Sequence, residues 1–154
     1  MNKTEIDNPS SDFRLEISRI ISASAEKLFD AWITPELLVK WWGPKNVICP
    51  SASIDLKVGG KYKIANQFED GSILWIYGIF DQIIRPEKLV YTWNLNEGQD
   101  GPELVTVSFS PKGKSTKVTI IHERISSLEI YQSHTAGWQG CLDSLALQIK
   151  APIN

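Results

Sequence analysis

The sequence predicts an α+β domain in which a curved seven-stranded antiparallel sheet wraps around one long C-terminal helix, in the order β-α-α-β-β-β-β-β-β-α. Three observations carry that expectation. Residues 47 to 125 are rich in Val, Ile, Tyr and Thr and are cut by turn signals at strand-length intervals. The separators are too short to hold crossover helices, so successive strands must run antiparallel. The closing stretch has helical periodicity and is the one segment long enough to cover an apolar sheet face.

The elements follow in chain order. Residues 1–12, MNKTEIDNPSSD, read as a polar disordered tail ahead of a domain over 13–150. FRLEISRII (13–21) places Phe13, Leu15, Ile17, Arg19 and Ile21 on one parity, a half-buried strand with Arg19 as its anomaly. Ser24 offers an N-cap to a helix with Leu28, Phe29, Trp32 and Ile33 on one face. Thr34-Pro35 opens a second helix, Thr as cap and Pro at the first position, in which Leu37, Leu38, Trp41 and Trp42 share a side until Gly43-Pro44 stops it. Adjacent helical positions point about 100° apart, so Trp41 is expected in the core and Trp42 nearer the mouth of any pocket. Six strands follow at 47–56, 61–68, 74–84, 88–95, 104–110 and 116–125. They are divided by Gly59-Gly60, Glu69-Asp70-Gly71, Arg85-Pro86-Glu87, NEGQDGP (96–102) and Pro111-Lys112-Gly113. Ser126 and Glu129 form a capping box before a helix whose buried stripe is Tyr131, His134, Trp138, Cys141 or Leu142, Leu145 and Ile149. Gly137 interrupts that helix at a cost of about 1 kcal/mol relative to Ala, and such a glycine usually lets something bulky come close.

Composition excludes several functions. Across 154 residues, 16 Lys plus Arg face 18 Asp plus Glu without a charged block, so there is no footprint for nucleic acid or an anionic membrane. Cys49 and Cys141 lack C-x-x-C spacing and read as reduced apolar residues; with no apolar leader or spanning segment, a cytoplasmic location and no membrane insertion are expected. His122-Glu123 begins like a zinc-protease motif, but position 126 is Ser and the segment is a strand, so no metal is expected. Gly59-Gly60 opens a strand without a following Lys-Ser/Thr and is a turn or bulge, not a phosphate loop. No Gly-x-Ser-x-Gly nucleophile elbow occurs.

The ordered set RIISASAEKLFDAWITPELLVKWWGP (19–44), DLKVGGKY (55–62), GIFDQIIRPEKLVYTW (78–93), TKVTIIHE (116–123) and GWQGCLDSL (137–145) resembles the activator of heat-shock protein 90 ATPase homologue family. That family belongs to the START-like, or SRPBCC, superfamily with a helix-grip fold, and the likeness spans about residues 13–150. It implies a deep cavity between sheet and long helix, which elsewhere in the superfamily holds lipids, polyketides, hormones or aromatic compounds. Ser24 stands where the family commonly has proline, which bears only on the helix start.

Such a cavity would draw its lining from Trp42, Tyr62, Trp75, Tyr77, Trp93, His122, His134 and Trp138, an apolar wall with a few hydrogen-bonding tips; the alternative is that these residues fill a solid core. His122 shares parity with Val118 and Ile120 and should point inward, as hydrogen-bonded structure or as an acid–base group. Arg19 either pairs with a carboxylate or anchors a ligand's anionic group, because an unpaired buried charge is too costly to keep. The leading reading is a small hydrophobic-ligand-binding protein without a cofactor, its ligand apolar or aromatic. The second is an enzyme (cyclase, dehydratase or hydrolase) acting on an aromatic or polyketide-like substrate through His122. The third is a chaperone-associated or stress-response regulator, although the chaperone-activating eukaryotic members carry an additional N-terminal domain that the tail cannot replace. Monomer and homodimer fit the sequence equally.

Overall fold

Strand alternation and local caps build most of the chain before any long-range contact is considered. The computed structural model describes residues 13–95 and 102–150, so the expected tail and nearly all of the 96–102 connector lie outside the described residues. In β1 (Phe13–Ile21), Leu15 and Ile21 are buried while Arg14, Glu16, Ser18 and Ile20 are exposed, as a strand with one wet face requires. Ser24 caps α1 (Ala25–Ile33) by accepting the Lys27 backbone N–H at 3.1 Å. Leu28, Phe29, Ala31 and Trp32 form the buried face of α1.

The second helix, α2 (Pro35–Trp41), begins with Pro at its first position, but the Thr34 side chain makes no cap bond. It also stops one residue short of the span implied by the Leu and Trp spacing. Trp42 is extended at φ −68°, ψ 135°, and its N–H closes the helix on the Leu38 carbonyl. Leu38 and Trp41 therefore face inward, while Leu37 is exposed.

The strand expected over 47–56 shrinks to β2 (Ala52–Ile54), preceded by one isolated bridge between Ile48 and Gln67. Pro50 has no N–H to give a ladder, which interrupts pairing between those two points. The remaining strands are β3 (Lys61–Gln67), β4 (Ile73–Ile84), β5 (Lys88–Leu95), β6 (Glu103–Lys112) and β7 (Ser115–Ile125). Lys112 pairs with Ser115, so β6 runs through Pro111 and the hairpin turns on Gly113 and Lys114, with Gly113 at φ 64°. Spatial order is β1-β7-β6-β5-β4-β3-β2, an antiparallel meander to which β1 is added beside β7.

The closing helix, α3 (Leu128–Lys150), starts one residue later than the capping box implied: Ser127 Oγ, not Ser126, accepts the Ile130 N–H at 3.1 Å. Its buried side carries Trp138, Cys141, Leu142 and Leu145, with Tyr131 and Ile149 packed at the margin. The expected close approach occurs at Gly140 rather than Gly137. A Cβ on Gly140 would lie 2.7 Å from Pro44 Cβ, whereas one on Gly137 would meet nothing within 4 Å. Among the described residues no helix is long and apolar enough to cross a membrane.

Candidate functional site

The polar centre of the molecule starts from parity in β6. Glu103, Val105, Val107 and Phe109 alternate inward and all four are buried, so a carboxylate is carried into the interior on a strand that is otherwise apolar on that face. Val105 lies opposite His122 of β7, which shares its inward face with Val118 and Ile120. From the other side α3 delivers His134 and, one turn on, Trp138. These elements converge on one oxygen: Glu103 Oε1 is 2.7 Å from His122 Nε2 and 2.8 Å from His134 Nε2.

The hydrogen bonds settle the proton positions. Trp138 Nε1–H donates to His122 Nδ1 at 3.0 Å, so Nδ1 carries the lone pair and Nε2 carries the proton given to Glu103. The carboxylate is also the acceptor toward His134, which places the proton of a neutral His134 on Nε2 and leaves Nδ1 as its basic atom. Burial works to raise the Glu103 pKa, but the hydrogen bonds from His122 and His134 outweigh it and hold the group at about 2. Burial, reinforced by the neighbouring His134, lowers His122 to about 4 despite the opposing bond to Glu103. The two imidazoles stack with centroids 4.3 Å apart, an arrangement that disfavours charge on both.

The three donor groups lie within 4.8 Å of one another, close enough to raise the question of a metal ion. A metal on both Nε2 atoms would require His122 to carry its proton on Nδ1, where it would confront the indole N–H of Trp138. The donor set as hydrogen-bonded therefore does not suit a metal. The zinc-protease resemblance has no geometric counterpart either, since His122 and Glu123 are strand neighbours, His122 buried and Glu123 reaching toward Arg14 at the surface.

Beside this centre lies a cavity of about 350 Å³ between α3 and the inner face of β3 to β5. Its walls include Trp42, Trp93 and Trp138, with Ile76 and Leu95 from the sheet and His134 and Gly137 from the helix. The indoles meet at steep angles: Trp42 and Trp138 are edge to face at 5.5 Å, and Trp93 and Trp138 are tilted at 5.5 Å. Asn66 also lines it, with Oδ1 accepting the Trp42 Nε1–H at 2.8 Å. Among the described residues, no Lys or Arg lines it.

The structure sorts the residues expected from sequence into separate places. Trp42, Trp93, His134 and Trp138 line the cavity; Trp41 is buried and carries its indole N–H to the Ala31 carbonyl. His122 is fully buried with both ring nitrogens engaged and does not line the cavity, so of the two imidazoles His134 is the one at its wall. Tyr62 points inward but away from the cavity, beside Trp32 and Tyr91 around a void of about 20 Å³, with its hydroxyl given to the Thr92 carbonyl at 2.6 Å. Trp75 and Tyr77 have the opposite parity to Ile76, Gly78 and Phe80 and sit on the outer face, where with Tyr62, Lys61 and Lys63 they line a separate open groove of about 580 Å³ and Lys63 lies 4.3 Å above the Trp75 ring. Arg19 pairs with Asp143 of α3 at 2.7 Å and does not line the cavity.

Glu103 and Asn66, whose side chains bond to His134 and Trp42, were missed from sequence. Glu103 carried a readable signal, a charge on the parity of Val105, Val107 and Phe109, the same anomaly that marked Arg19. Asn66 shares parity with Tyr62 and Ile64, a weaker signal because asparagine is ordinary near a strand end.

A family model described as "Activator of Hsp90 ATPase homolog 1-like protein" matches residues 22–149. Among solved structures, the chain is similar to protein CV1439 from Chromobacterium violaceum, with TM-score 0.81 and 25% identity over 90% of this chain and 98% of that one. It is also similar to the AHSA1 protein from Silicibacter pomeroyi (TM-score 0.77, 22% identity, 89% of this chain and 97% of that one). CalU16 from Micromonospora echinospora gives TM-score 0.69 at 18% identity over 91% of this chain and 78% of that one. None of the curated proteins matches by sequence. These structural likenesses establish the helix-grip fold.

Proposed function

Because the chain belongs to the family of Activator of Hsp90 ATPase homolog 1-like proteins, we propose that it works as a helix-grip binding protein for a small, largely apolar ligand held between the sheet and α3. One observation carries this reading: the cavity of about 350 Å³ walled by Trp42, Trp93 and Trp138. That volume lies in the range of roughly 300–1,000 Å³ occupied by small-molecule sites, and so does the lining, mostly aromatic with a few convergent polar atoms. Apolar ligand surface moved there from water contributes about 25 cal/mol per Å² before the cost of immobilisation.

The test uses the tryptophans as internal probes. Indole N–H resonances are recorded while naphthalene derivatives are titrated into the protein. Those of Trp42, Trp93 and Trp138 should shift, and that of Trp75 on the outer face should not. A Gly137→Leu variant grows a side chain into the cavity without meeting protein atoms near its Cβ and should abolish the shifts. Shifts confined to Trp75, or persisting unchanged in Gly137→Leu, would refute the reading.

A second reading has its own observation. The bond from His134 Nε2 to the Glu103 carboxylate, with Nδ1 left as the basic atom of a side chain at the cavity wall, is the arrangement of an acid–base catalyst. Turnover of a bound ligand that is lost in His134→Phe while binding persists would move the protein into the enzyme class.

A further inference from the structure

We infer that the ligand is a neutral hydroxyaryl compound, one or two rings in size, whose ring hydroxyl donates to Nδ1 of His134 and whose far side offers an acceptor to the amide NH₂ of Asn66. The inference rests on the cavity reading above and names the chemical class that fits it. His134 Nε2–H is committed to Glu103 Oε1 at 2.8 Å, and among the described residues no group bonds to Nδ1. A ring nitrogen with a lone pair accepts and cannot donate, so its complement is a hydroxyl or N–H. On the opposite wall the Trp42 N–H, a donor with no acceptor capacity, selects the Asn66 amide orientation in which Oδ1 faces the indole. The NH₂ is thereby turned away from Trp42 as a donor.

Charge and size narrow the class further. With no Lys or Arg in the lining among the described residues and the Glu103 carboxylate just behind His134, an anionic head group would enter unpaired and against a like charge. The indoles of Trp42, Trp93 and Trp138 present ring faces and edges to whatever lies among them, which suits a flat aromatic body. A space of about 350 Å³ has room for a naphthalene-sized ring system that carries a substituent at each end.

The test is a calorimetric titration at neutral pH with four probes: 2-naphthol, 2-methoxynaphthalene, 6-acetyl-2-naphthol and benzyltrimethylammonium. One good neutral hydrogen bond should make 2-naphthol bind about ten-fold more tightly than its methyl ether, and the acetyl group should add about another five-fold. In His134→Phe the hydroxyl preference should fall to within about two-fold; in Asn66→Leu only the acetyl gain should vanish. The comparison of the hydroxyl and methoxy probes in the unaltered protein stands even if a variant does not fold. Equal affinities for those two, or tighter binding of the ammonium probe than of 2-naphthol, would overturn the inference and leave an apolar binding cavity. If no aromatic probe binds the unaltered protein and none shifts its indoles, the binding reading falls with it.

Discussion

At the scale of single residues, Glu103 and His122 make folding sensitive to acid. His122 is buried neutral, held between Trp138 Nε1–H and Glu103, and its pKa is pushed down to about 4. In the unfolded chain an unperturbed imidazole titrates near 6.5. As pH falls from about 6.5 toward 4 the unfolded state therefore takes up a proton that the folded state refuses, and stability is lost over that window, on the order of 3 kcal/mol at ~1.4 kcal/mol per pH unit. Glu103, held at about 2, has the same sign: its contribution is present above the ordinary carboxylate range and is lost as pH falls through it. Urea unfolding at pH 7, 5.5 and 4.5 should show a steep decline that flattens in His122→Gln; a free energy unchanged across that range would contradict the buried neutral ring. The inward direction of His122 was legible in its parity with Val118 and Ile120. Its partners were not, because Glu103 is 19 residues away along the chain and Trp138 is 16.

At the scale of elements, α3 separates two glycines that look alike in sequence. Gly137 faces the cavity and a Cβ there meets nothing, so Gly137→Ala removes the backbone-entropy penalty of glycine in a helix and should stabilise by up to about 1 kcal/mol. At Gly140 the same methyl would lie 2.7 Å from Pro44 Cβ and 2.8 Å from its Cα, an overlap with a rigid ring and backbone. Gly140→Ala should therefore destabilise by about 1–3 kcal/mol. Thermal melts of the two variants moving in opposite directions would confirm the assignment, and parallel shifts would refute it. The KWWGPK segment teaches the same point from α2. Its stop was legible in Gly-Pro, but Trp42 leaves the helix one residue early, extended, with its indole N–H donated to Asn66 on β3. That turn puts Trp42 in the cavity wall while Trp41 stays in the core against Trp32, their ring centroids 4.7 Å apart.

At the scale of the whole molecule, the sheet has two faces with different duties. On β4, Ile76 and Phe80 meet the interior, and Trp75 and Tyr77 lie on the outer face. Tyr77→Ser and Trp75→Thr should consequently leave ligand-induced shifts of Trp42, Trp93 and Trp138 unchanged, and a lost or weakened response in either variant would mean that the outer face takes part in binding. Arg19 bridges the face of β1 to Asp143 on α3 as a half-exposed pair, a geometry that adds little to stability and does not reach the cavity. By itself the sequence determined the element order, the strand parities, the inward His122 and the stripe of α3, because these depend on periodicity and on turn residues within a few positions of one another. Only the tertiary structure decided which aromatics wall a cavity and which fill a core, that Glu103 unites His122 and His134, and that His134 rather than His122 lies at the cavity wall. Those outcomes depend on distances between residues far apart in the chain, and the physical reason is geometric: curvature of the sheet and the docking of α3 on it set which inward side chains touch and which leave space between them.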